Sequence, residues 1–534
     1  FTSATNAFNT AIGTDAGLSV TTGVQNTLIG GLAGDRLTDA DHNVAIGYEA
    51  LTTDLLGSKT VAIGTDALAN QNFTSATDTF NTAVGYFAGL QVTTGVQNTI
   101  IGGLAGDALT TGSQNVVIGY QALSADDLGS HNVAIGANAL SDMNFASAID
   151  SYNTAVGDQA GLRVSTGVEN TLIGALAGDA ITDADLNVAV GYQALTTNVL
   201  GSRSVALGSY ALATQNPASA VNMFNTAVGD EAGILISTGV QNVYVGGLSG
   251  DGATTGNDNT GVGYQSLSGP GIFARNTGLG AFAGQVITTG VENVLIGHEA
   301  GDALTEANFN VAIGSDALGQ DTKGSRNVAV GQEALSAQNF TSATNSYNTA
   351  VGMSAGRIIS TGVHNTLIGG DAGDANTTAD HLTAVGYNAL TTFNRTDGAS
   401  GKTTAVGSGA FQSLTTGTQN TAVGMEAGSS QQAAANCTFL GYRAGKDSTG
   451  EANTFVGSLC GDATDDGASN TAVGQSALSA NCGDSNVAVG VNALLVCTNN
   501  NNTAVGALAG NNITGGTQNT LIGAQVEAEA AGSN

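Results

Sequence analysis

The amino-acid sequence predicts an all-β protein, specifically a parallel β-solenoid of about 30 coils. A short phrase, written Asn-Thr-Ala-Val-Gly at 81–85, recurs in 30 copies between Gly13 and Gly523. Most copies lie about 17 residues apart, and self-similarity at a fixed period is typical of repeat architectures. Helices are excluded because glycine recurs in every copy and no 3.6-residue period is present.

Each copy predicts one short strand that ends at the repeat glycine. The third position before this glycine is Thr or Val in all 30 copies, and the position directly before it is Val, Ile or Leu in all 30. Side chains two apart in a strand share a face, so we expect these two to line the interior of the coil. The glycine then permits a turn. Three positions later stands a small residue, which is Ala in 26 copies.

An asparagine stands four positions before the repeat glycine in 25 of the 30 copies, for example Asn26, Asn43, Asn98 and Asn115. Because stacked coils lie about 4.8 Å apart, these amides would follow one another along one corner of the solenoid. We predict a structural ladder of hydrogen bonds, since a binding residue rarely needs so many copies. The stacked coils would together form a rod roughly 140 Å long.

The copies are grouped in blocks. Three short spacings between successive glycines, each of about 17 residues, are followed by one of about 21 residues, and together they give a superrepeat of about 72 residues. We predict a regular solenoid array over 1–402, a divergent continuation of the same solenoid over 403–523, and a tail or truncated linker over 524–534. We expect a processed or trimmed fragment, because the chain begins with Phe1 rather than Met.

The longer coils bulge into an extended turn that carries aromatic residues at recurring places. Exposed aromatics at regular spacing would form a receptor-binding stripe. The alternative is that they cover a seam between subunits or cap the bulge. The series comprises Phe73, Phe80, Phe145, Tyr152, Phe224, Phe340 and Tyr347. A second series, open to the same two interpretations, directly follows the glycine of the third coil in a block: Tyr48, Tyr120, Tyr192, Tyr264 and Tyr387.

The residue two before the repeat glycine is expected to point away from the interior. It is nevertheless apolar, being Ala in 18 copies and otherwise mostly larger, as at Leu28, Ile100, Leu172, Leu295 and Phe455. A strand that is apolar on both faces needs a cover for its second face. We therefore predict a rotationally symmetric homo-oligomer, most economically a homotrimer.

The charge balance limits the partners. With 12 Lys and Arg against 42 Asp and Glu, the net charge of −30 disfavours nucleic acid and anionic membrane surfaces. The absence of an 18-residue apolar run argues against membrane insertion. Acidity would instead keep a long rod soluble.

Cys482 and Cys497 fall near one corner of adjacent coils, so we predict a disulfide there, which would suit an extracellular protein.

No catalytic constellation, cofactor motif or metal site is predicted. No CxxC pair exists, and the 5 histidines are scattered, so a stacked metal pair is not expected. Aspartates five after the glycine recur about four coils apart, roughly 19 Å, which is too far to share one Ca²⁺. Ca²⁺ is the one cofactor considered, weakly bound at tighter clusters such as Asp183 with Asp185 or Asp465 with Asp466.

Blocks such as 43–51 (Asn-Val-Ala-Ile-Gly-Tyr-Glu-Ala-Leu) resemble the YadA-like head repeats of trimeric autotransporter adhesins. They are also similar to repeats in bacteriophage tail fibres. The resemblance extends over about 9–523. It implies a left-handed parallel β-roll, assembled as a trimer, that serves as an adhesive or receptor-binding rod outside the cell, on its surface or on a virion.

We therefore expect an extracellular structural fibre or adhesin segment, a rigid rod that mediates attachment to a cell-surface glycan or protein receptor without catalysis. The alternative is a filament-forming structural spacer that binds no specific ligand. A polysaccharide-processing enzyme is the least favoured hypothesis, because it would need acidic residues clustered in a groove lined by aromatics.

Overall fold

The computed structural model describes residues 6–398 and 400–527. The chain is all-β, no described residue is helical, and the fold is a parallel β-solenoid of about 30 turns with a spacing of about 17 residues. The predicted fold class is thereby confirmed. The chain forms two compact units, the first extending to Gln265 and including Pro270–Ile272, and the second comprising Ser266–Gly269 and the residues from Phe273 onward.

The strands of the first unit are β1 (Thr10–Ile12), β2 (Thr27–Ile29), β3 (Val44–Ile46), β4 (Gly57–Ser58), β5 (Val61–Ile63), β6 (Thr77–Asp78), β7 (Thr82–Val84), β8 (Thr99–Ile101), β9 (Val116–Ile118), β10 (Gly129–Ser130), β11 (Val133–Ile135), β12 (Ile149–Asp150), β13 (Thr154–Val156), β14 (Thr171–Ile173), β15 (Val188–Val190), β16 (Gly201–Ser202), β17 (Val205–Leu207), β18 (Val221–Asn222), β19 (Thr226–Val228), β20 (Val243–Val245) and β21 (Thr260–Val262).

The strands of the second unit are β22 (Thr277–Leu279), β23 (Val294–Ile296), β24 (Val311–Ile313), β25 (Gly324–Ser325), β26 (Val328–Val330), β27 (Thr344–Asn345), β28 (Thr349–Val351), β29 (Thr366–Ile368), β30 (Thr383–Val385), β31 (Thr404–Val406), β32 (Thr421–Val423), β33 (Thr438–Leu440), β34 (Thr454–Val456), β35 (Thr471–Val473), β36 (Val487–Val489), β37 (Thr503–Val505) and β38 (Thr520–Ile522).

The three-residue strands stack in parallel register within each unit. The partners hold the same place in successive repeats, so that Thr99 faces Val116 and Ile101 faces Ile118. Two-residue strands pair at the long turns, as β4 with β6 and β25 with β27. The longer coils thus carry a short additional sheet of their own.

The strand faces are the reverse of the sequence-based expectation. From β2 onward the central strand residue, two before the repeat glycine, is buried, whereas the first and last residues point outward and are half-buried or exposed; in β1 all three residues are exposed. The predicted outward residues are core residues exposed by 1% or less: Leu28, Ile100, Leu172, Leu295 and Phe455. The pairing of first and last residues on one face was right, but the assignment of that face to the interior was wrong.

The central strand residue and the residue four after the repeat glycine share one space in the interior of the turn, which has room for one large side chain. Where the central strand residue is larger than Val, the residue four after the repeat glycine is Gly in every copy but the last, as in Leu28 with Gly34. A Cβ at Gly34 would lie 2.8 Å from Leu28 Cδ2. Where the central residue is Ala, a core Leu can take the second place, as in Ala45 with Leu51. The narrow coil therefore puts the single central residue inside and the other two outside.

The repeated asparagines are buried and link successive turns. The backbone N–H of Asn43 donates to Asn26 Oδ1 at 2.9 Å, and Asn43 Nδ2 donates to the carbonyl of Gly57 at 2.9 Å. Asn98 and Asn115 repeat this arrangement, since the N–H of Asn115 donates to Asn98 Oδ1 at 2.9 Å. The ladder thus consists mainly of side-chain to backbone hydrogen bonds, which satisfy polar groups that the core would otherwise leave unpaired.

The corner before each strand is tightly bent. The residue five before the repeat glycine adopts a left-handed conformation, with φ of 61° at Gln97, 59° at Gln114 and 63° at His131. This conformation costs a non-glycine residue about 1–2 kcal/mol. It directs the next residue, the asparagine, into the core, where its hydrogen bonds offset that cost.

The described part of the predicted tail, 524–527, contains no helix, and Val526 accepts a backbone hydrogen bond from Gly510 at 2.8 Å. Residues 528–534 lie outside the described residues. The boundary expected between 402 and 403 stays a prediction, as does the handedness of the solenoid.

Replacing Gly102 by Ala should disrupt two adjacent turns. Its φ is 140°, and a Cβ there would lie 2.4 Å from the carbonyl oxygen of Gly119. We expect this variant to lose about 3 kcal/mol of local stability, measured as faster hydrogen exchange in peptides covering 99–120.

Gly103→Ala is the matched control. Its nearest neighbour would be Tyr120 Cδ2 at 3.8 Å, which is ordinary contact. We expect a change within about 0.5 kcal/mol. Equal hydrogen exchange in the two variants would contradict the close approach of the turns.

Candidate interaction surfaces

The outer face of the strand ladder is an apolar stripe, formed by the first and last residues of the three-residue strands. On β8 these are Thr99 and Ile101, and on β9 they are Val116 and Ile118. The last residue is aliphatic on every three-residue strand, and Ile101 is 37% exposed. Each unit therefore presents a row of β-branched and aliphatic side chains to solvent along its own ladder.

Exposed tyrosines flank this stripe. The second aromatic series lies directly after the repeat glycine on the outside of the turn, and all its members are exposed: Tyr48, Tyr120, Tyr192, Tyr264 and Tyr387. Tyr192 also contacts Tyr210 of the next turn edge to face, with ring centroids 5.4 Å apart. The flanking rings extend the apolar surface of the ladder.

The aromatic residues of the long turns divide into two groups. Phe73, Phe145 and Phe340 are 7%, 6% and 6% exposed, so they belong to the core of the long turn and cannot contact a receptor. For these three residues the interpretation as an exposed receptor-binding stripe was wrong, whereas their burial agrees with the alternative that they cap the bulge. The partners in the series remain on the surface: Phe80, Tyr152, Phe224 and Tyr347.

Buried carboxylates fasten the long turns. Asp54 Oδ2 accepts from Gln71 Nε2 at 2.7 Å, while Asp54 Oδ1 accepts from the N–H of Phe73 at 3.0 Å. Asp321 is held in the same way by Gln338 at 2.6 Å. These groups were not found from the sequence, although Asp54 and Asp126 lie one superrepeat apart.

Asp126 is the exception among these carboxylates. Met143 occupies the place of Gln71, and Asp126 Oδ2 is buried without a hydrogen-bond partner among the described residues. The amide of Asn153 instead contacts Met143 Sδ at 3.5 Å. Burial is the largest cause that raises the pKa of Asp126, to about 6.

A column of exposed side chains runs along the corner before the strands in the second unit. We call Phe309, Arg326, Tyr347, His364 and His381, which lie on five successive turns, the aromatic–cation column. The Arg326 guanidinium lies 4.8 Å from the Phe309 ring centroid and 5.8 Å from that of Tyr347. The rings of Tyr347 and His364 stack at 5.6 Å, and those of His364 and His381 at 5.1 Å.

This stacked histidine pair contradicts the expectation that the histidines are scattered. His364 and His381 hold the same place in successive copies of the repeat, and the register therefore brings them together. Both are exposed, as turn residues are expected to be. No group of three or more His, Cys, Asp or Glu in the described ranges could hold a metal ion.

Three of the recurring aspartates five after the glycine, Asp35, Asp179 and Asp374, accept a hydrogen bond from a threonine of the next turn. Asp35 Oδ1 accepts from Thr52 Oγ1 at 2.6 Å, and Asp374 Oδ1 accepts from Thr391 Oγ1 at 2.6 Å. Asp302 instead lies in an acidic groove of about 510 Å³ with Asp316, Glu333 and Arg357. Burial, aided by Glu299, raises the pKa of Asp302 to about 6. No aromatic residue lines this groove, unlike the groove expected of a polysaccharide-processing enzyme.

The predicted disulfide between Cys482 and Cys497 is not formed, and all four cysteines are buried free thiols. Cys482 Sγ lies 3.4 Å from Thr464 Oγ1, and Cys497 Sγ donates to the carbonyl of Asn499 at 3.6 Å. The side chains are thus engaged within the core instead of with each other. Burial raises the pKa of Cys482 to about 11, which keeps it protonated and unreactive.

None of the described residues forms a helix of the length and hydropathy that crossing a membrane would need.

No protein-family model matches this chain, and no curated protein matches it. The resemblance to YadA-like head repeats therefore stays an expectation that rests on the repeat itself.

Met143→Gln should remove a pH dependence from the long turn that Asp126 fastens. The pKa of Asp126 is about 6 in the folded chain against a model-peptide value of 3.8, so the folded state holds the proton more tightly. The stability that this proton contributes is present below pH 3.8 and is lost as the pH rises through 6. The new amide donor should therefore slow hydrogen exchange around 126–145 at about pH 7.5 and leave it unchanged near pH 4.

Gln71→Met is the reciprocal variant and the control. It removes the donor to Asp54 Oδ2 and should make the opening of that turn faster at about pH 7.5 than near pH 4, by about tenfold or more. The measured rates are first corrected for the intrinsic pH dependence of exchange. If neither substitution then changed how the opening of its long turn differs between the two pH values, the role assigned to Met143 would be contradicted.

Proposed function

We propose that this chain is a segment of an extracellular structural fibre or adhesin, a rigid element that mediates attachment, and that its copies assemble side by side as a trimer. The observation that carries this proposal is the apolar stripe on the outer face of the ladder. Every turn adds one aliphatic residue to it. The resemblance to adhesin heads and phage tail fibres supports a location on a cell surface or virion.

The size of the stripe favours a protein partner over bare solvent. The stripe continues over all the turns of a unit with one aliphatic residue per turn, whereas a standard interface needs only about 800 Å² per partner. Monomeric proteins rarely expose apolar patches beyond a few hundred Å². A second and third copy are the economical cover, since identical repeats provide matching ridges at the same spacing.

The observed orientation of the strands still favours self-association, but through the opposite face of the strand. The sequence suggested that the central strand residue needed a cover, and that residue is in the core. The uncovered face is the other one, with first residues that are Thr or Val and last residues that are Val, Ile or Leu. β-branched residues on a flat ladder pack closely against a like surface.

The proposed attachment role follows from a regular exposed surface that is repeated many times. Repetition multiplies weak contacts, because a second contact of a linked array forms at a high effective concentration. The acidic chain, with its net charge of −30, would keep such fibres from bundling without specificity.

Ile101→Lys combined with Ile118→Lys should weaken self-association at least about tenfold, because both charges would be desolvated in the interface. The residues point outward, so the chain should still fold. The molar mass by light scattering, compared with 52.4 kDa for one chain, measures the effect.

Gln97→Lys combined with Gln114→Lys is the matched control, since it adds the same charge on the same two turns at the corner before the strands. We expect this variant to assemble like the unchanged protein. A monomeric unchanged protein at micromolar concentration would refute the assembly. Assembly without binding to any cell type would favour the spacer function over adhesion.

A further inference from the structure

We infer that the aromatic–cation column of the second unit, continued by Lys402 on the next turn, binds a linear anionic polysaccharide whose sugars carry carboxylates. This inference rests on the proposed function, because it supplies the ligand class for attachment. It does not depend on self-assembly, which is measured separately.

Basic and protonatable side chains share one corner of the solenoid. The chain has only 12 Lys and Arg, yet Arg326 and Lys402 lie at the same corner position as His364 and His381. These four residues place two cations and two protonatable rings along one corner of an acidic protein. A row of such groups, repeated from turn to turn, favours an anionic partner with a matching repeat.

No ion pair among the described residues neutralises Arg326 or Lys402. Elsewhere along the same corner, Lys59 pairs with Asp78 at 2.6 Å and His131 with Asp150 at 3.0 Å. At the place that corresponds to both aspartates, Arg326 has Asn345, whose Oδ1 accepts from Arg326 Nε at 3.3 Å.

No carboxylate of the described residues lies within 4.0 Å of the charged nitrogens of Arg326, His364, His381 or Lys402. Asp380, which directly precedes His381, keeps its charge but forms no ion pair with a described residue, and its Oδ1 accepts from the N–H of Val363 at 2.7 Å. Among the described residues, the hydrogen-bond partner of His381 Nδ1 is a neutral hydroxyl, Ser400 Oγ, at 3.3 Å. The column is therefore available to external carboxylates.

The side chains of the aromatic–cation column stack on one another. The rings and the guanidinium cover one another's faces, with successive centres 4.8–5.8 Å apart. Their edges, which carry the N–H and O–H donors, are left for a ligand. Turns of a parallel sheet repeat about every 4.8 Å, a spacing similar to that of the rings in a polyuronate, which carries one carboxylate per sugar. The donors of successive turns could then each meet the carboxylate of one sugar.

The same geometry disfavours single-stranded nucleic acid. Bases bind to such proteins by stacking on free aromatic faces, and in this column those faces are occupied by the neighbouring side chains. A carboxylated glycan needs only the donor edges. The observations thus favour the polysaccharide over the nucleic acid.

The test measures binding of the full-length protein to fluorescent alginate, with neutral dextran as the uncharged polymer. We expect binding to alginate that weakens with added salt, and none to dextran. Arg326→Gln combined with His364→Gln should weaken binding at least about tenfold. Gln fits this corner, as Gln97 and Gln114 show by their φ of 61° and 59°.

Asn345→Asp gives an independent measurement, because it copies the carboxylate that Asp78 places beside Lys59. It should weaken alginate binding about threefold to tenfold with no loss of thermal stability. Lys59→Gln is the control, and we expect alginate binding to change less than about twofold, since Lys59 is already paired with Asp78.

Three results would overturn the inference: no alginate binding by the unchanged protein, equal binding by Arg326→Gln/His364→Gln, or tighter binding of single-stranded DNA or polyglutamate than of alginate. If Arg326→Gln/His364→Gln lost alginate binding while its molar mass by light scattering stayed unchanged, the result would support the inference. Unchanged assembly without alginate binding would refute this inference alone, whereas a monomer that binds alginate would refute only the trimer.

Discussion

The buried asparagine is the interaction on which each turn depends. A narrow coil must satisfy the backbone groups that face its interior, and one amide side chain does this for two turns at once. Asn98 Oδ1 accepts the N–H of Asn115, while Asn98 Nδ2 donates to the carbonyl of Gly112. Because donor and acceptor lie 17 and 14 residues further along, the side chain fixes the register of the next turn. Register in turn decides which surface residues become neighbours, including those of the aromatic–cation column.

The fold class, the repeat length and the ladder positions could be predicted from the sequence because they are properties of the period. The inner and outer faces of the strand could not be assigned by alternation, since both faces are apolar. The deciding signal was covariation within one repeat: Leu28, Ile100 and Leu172 are each followed by a glycine four after the repeat glycine. Two positions that exchange volume in this way must share one interior. The expectation failed because it considered each position alone.

Surface sites were less predictable, because they depend on contacts between turns. The histidines looked scattered in a linear reading, although His364 and His381 are separated by one full turn of the solenoid. Phe73 and Phe80 looked equivalent as turn aromatics, but one fills the long turn and the other faces solvent. The same holds for Met143, whose effect on Asp126 exists only because the longer coil returns over the preceding turn. In each case the missing information was the stacking of one copy on another.

Repetition also explains how function can arise on such a chain without a pocket. A single substitution at one corner position changes one donor, and the register then places it next to the donors of neighbouring turns. Asp78, Asp150, Asn222 and Asn345 occupy one structural place. The two aspartates pair with Lys59 and His131, whereas the two asparagines leave Arg203 and Arg326 without an ion pair among the described residues. Replacement of one aspartate by asparagine therefore leaves the basic side chain at that corner without its ion pair. The asparagine ladder and the core beneath the corner stay the same. The repeat supplies the scaffold, and departures from the repeat supply the candidates for recognition.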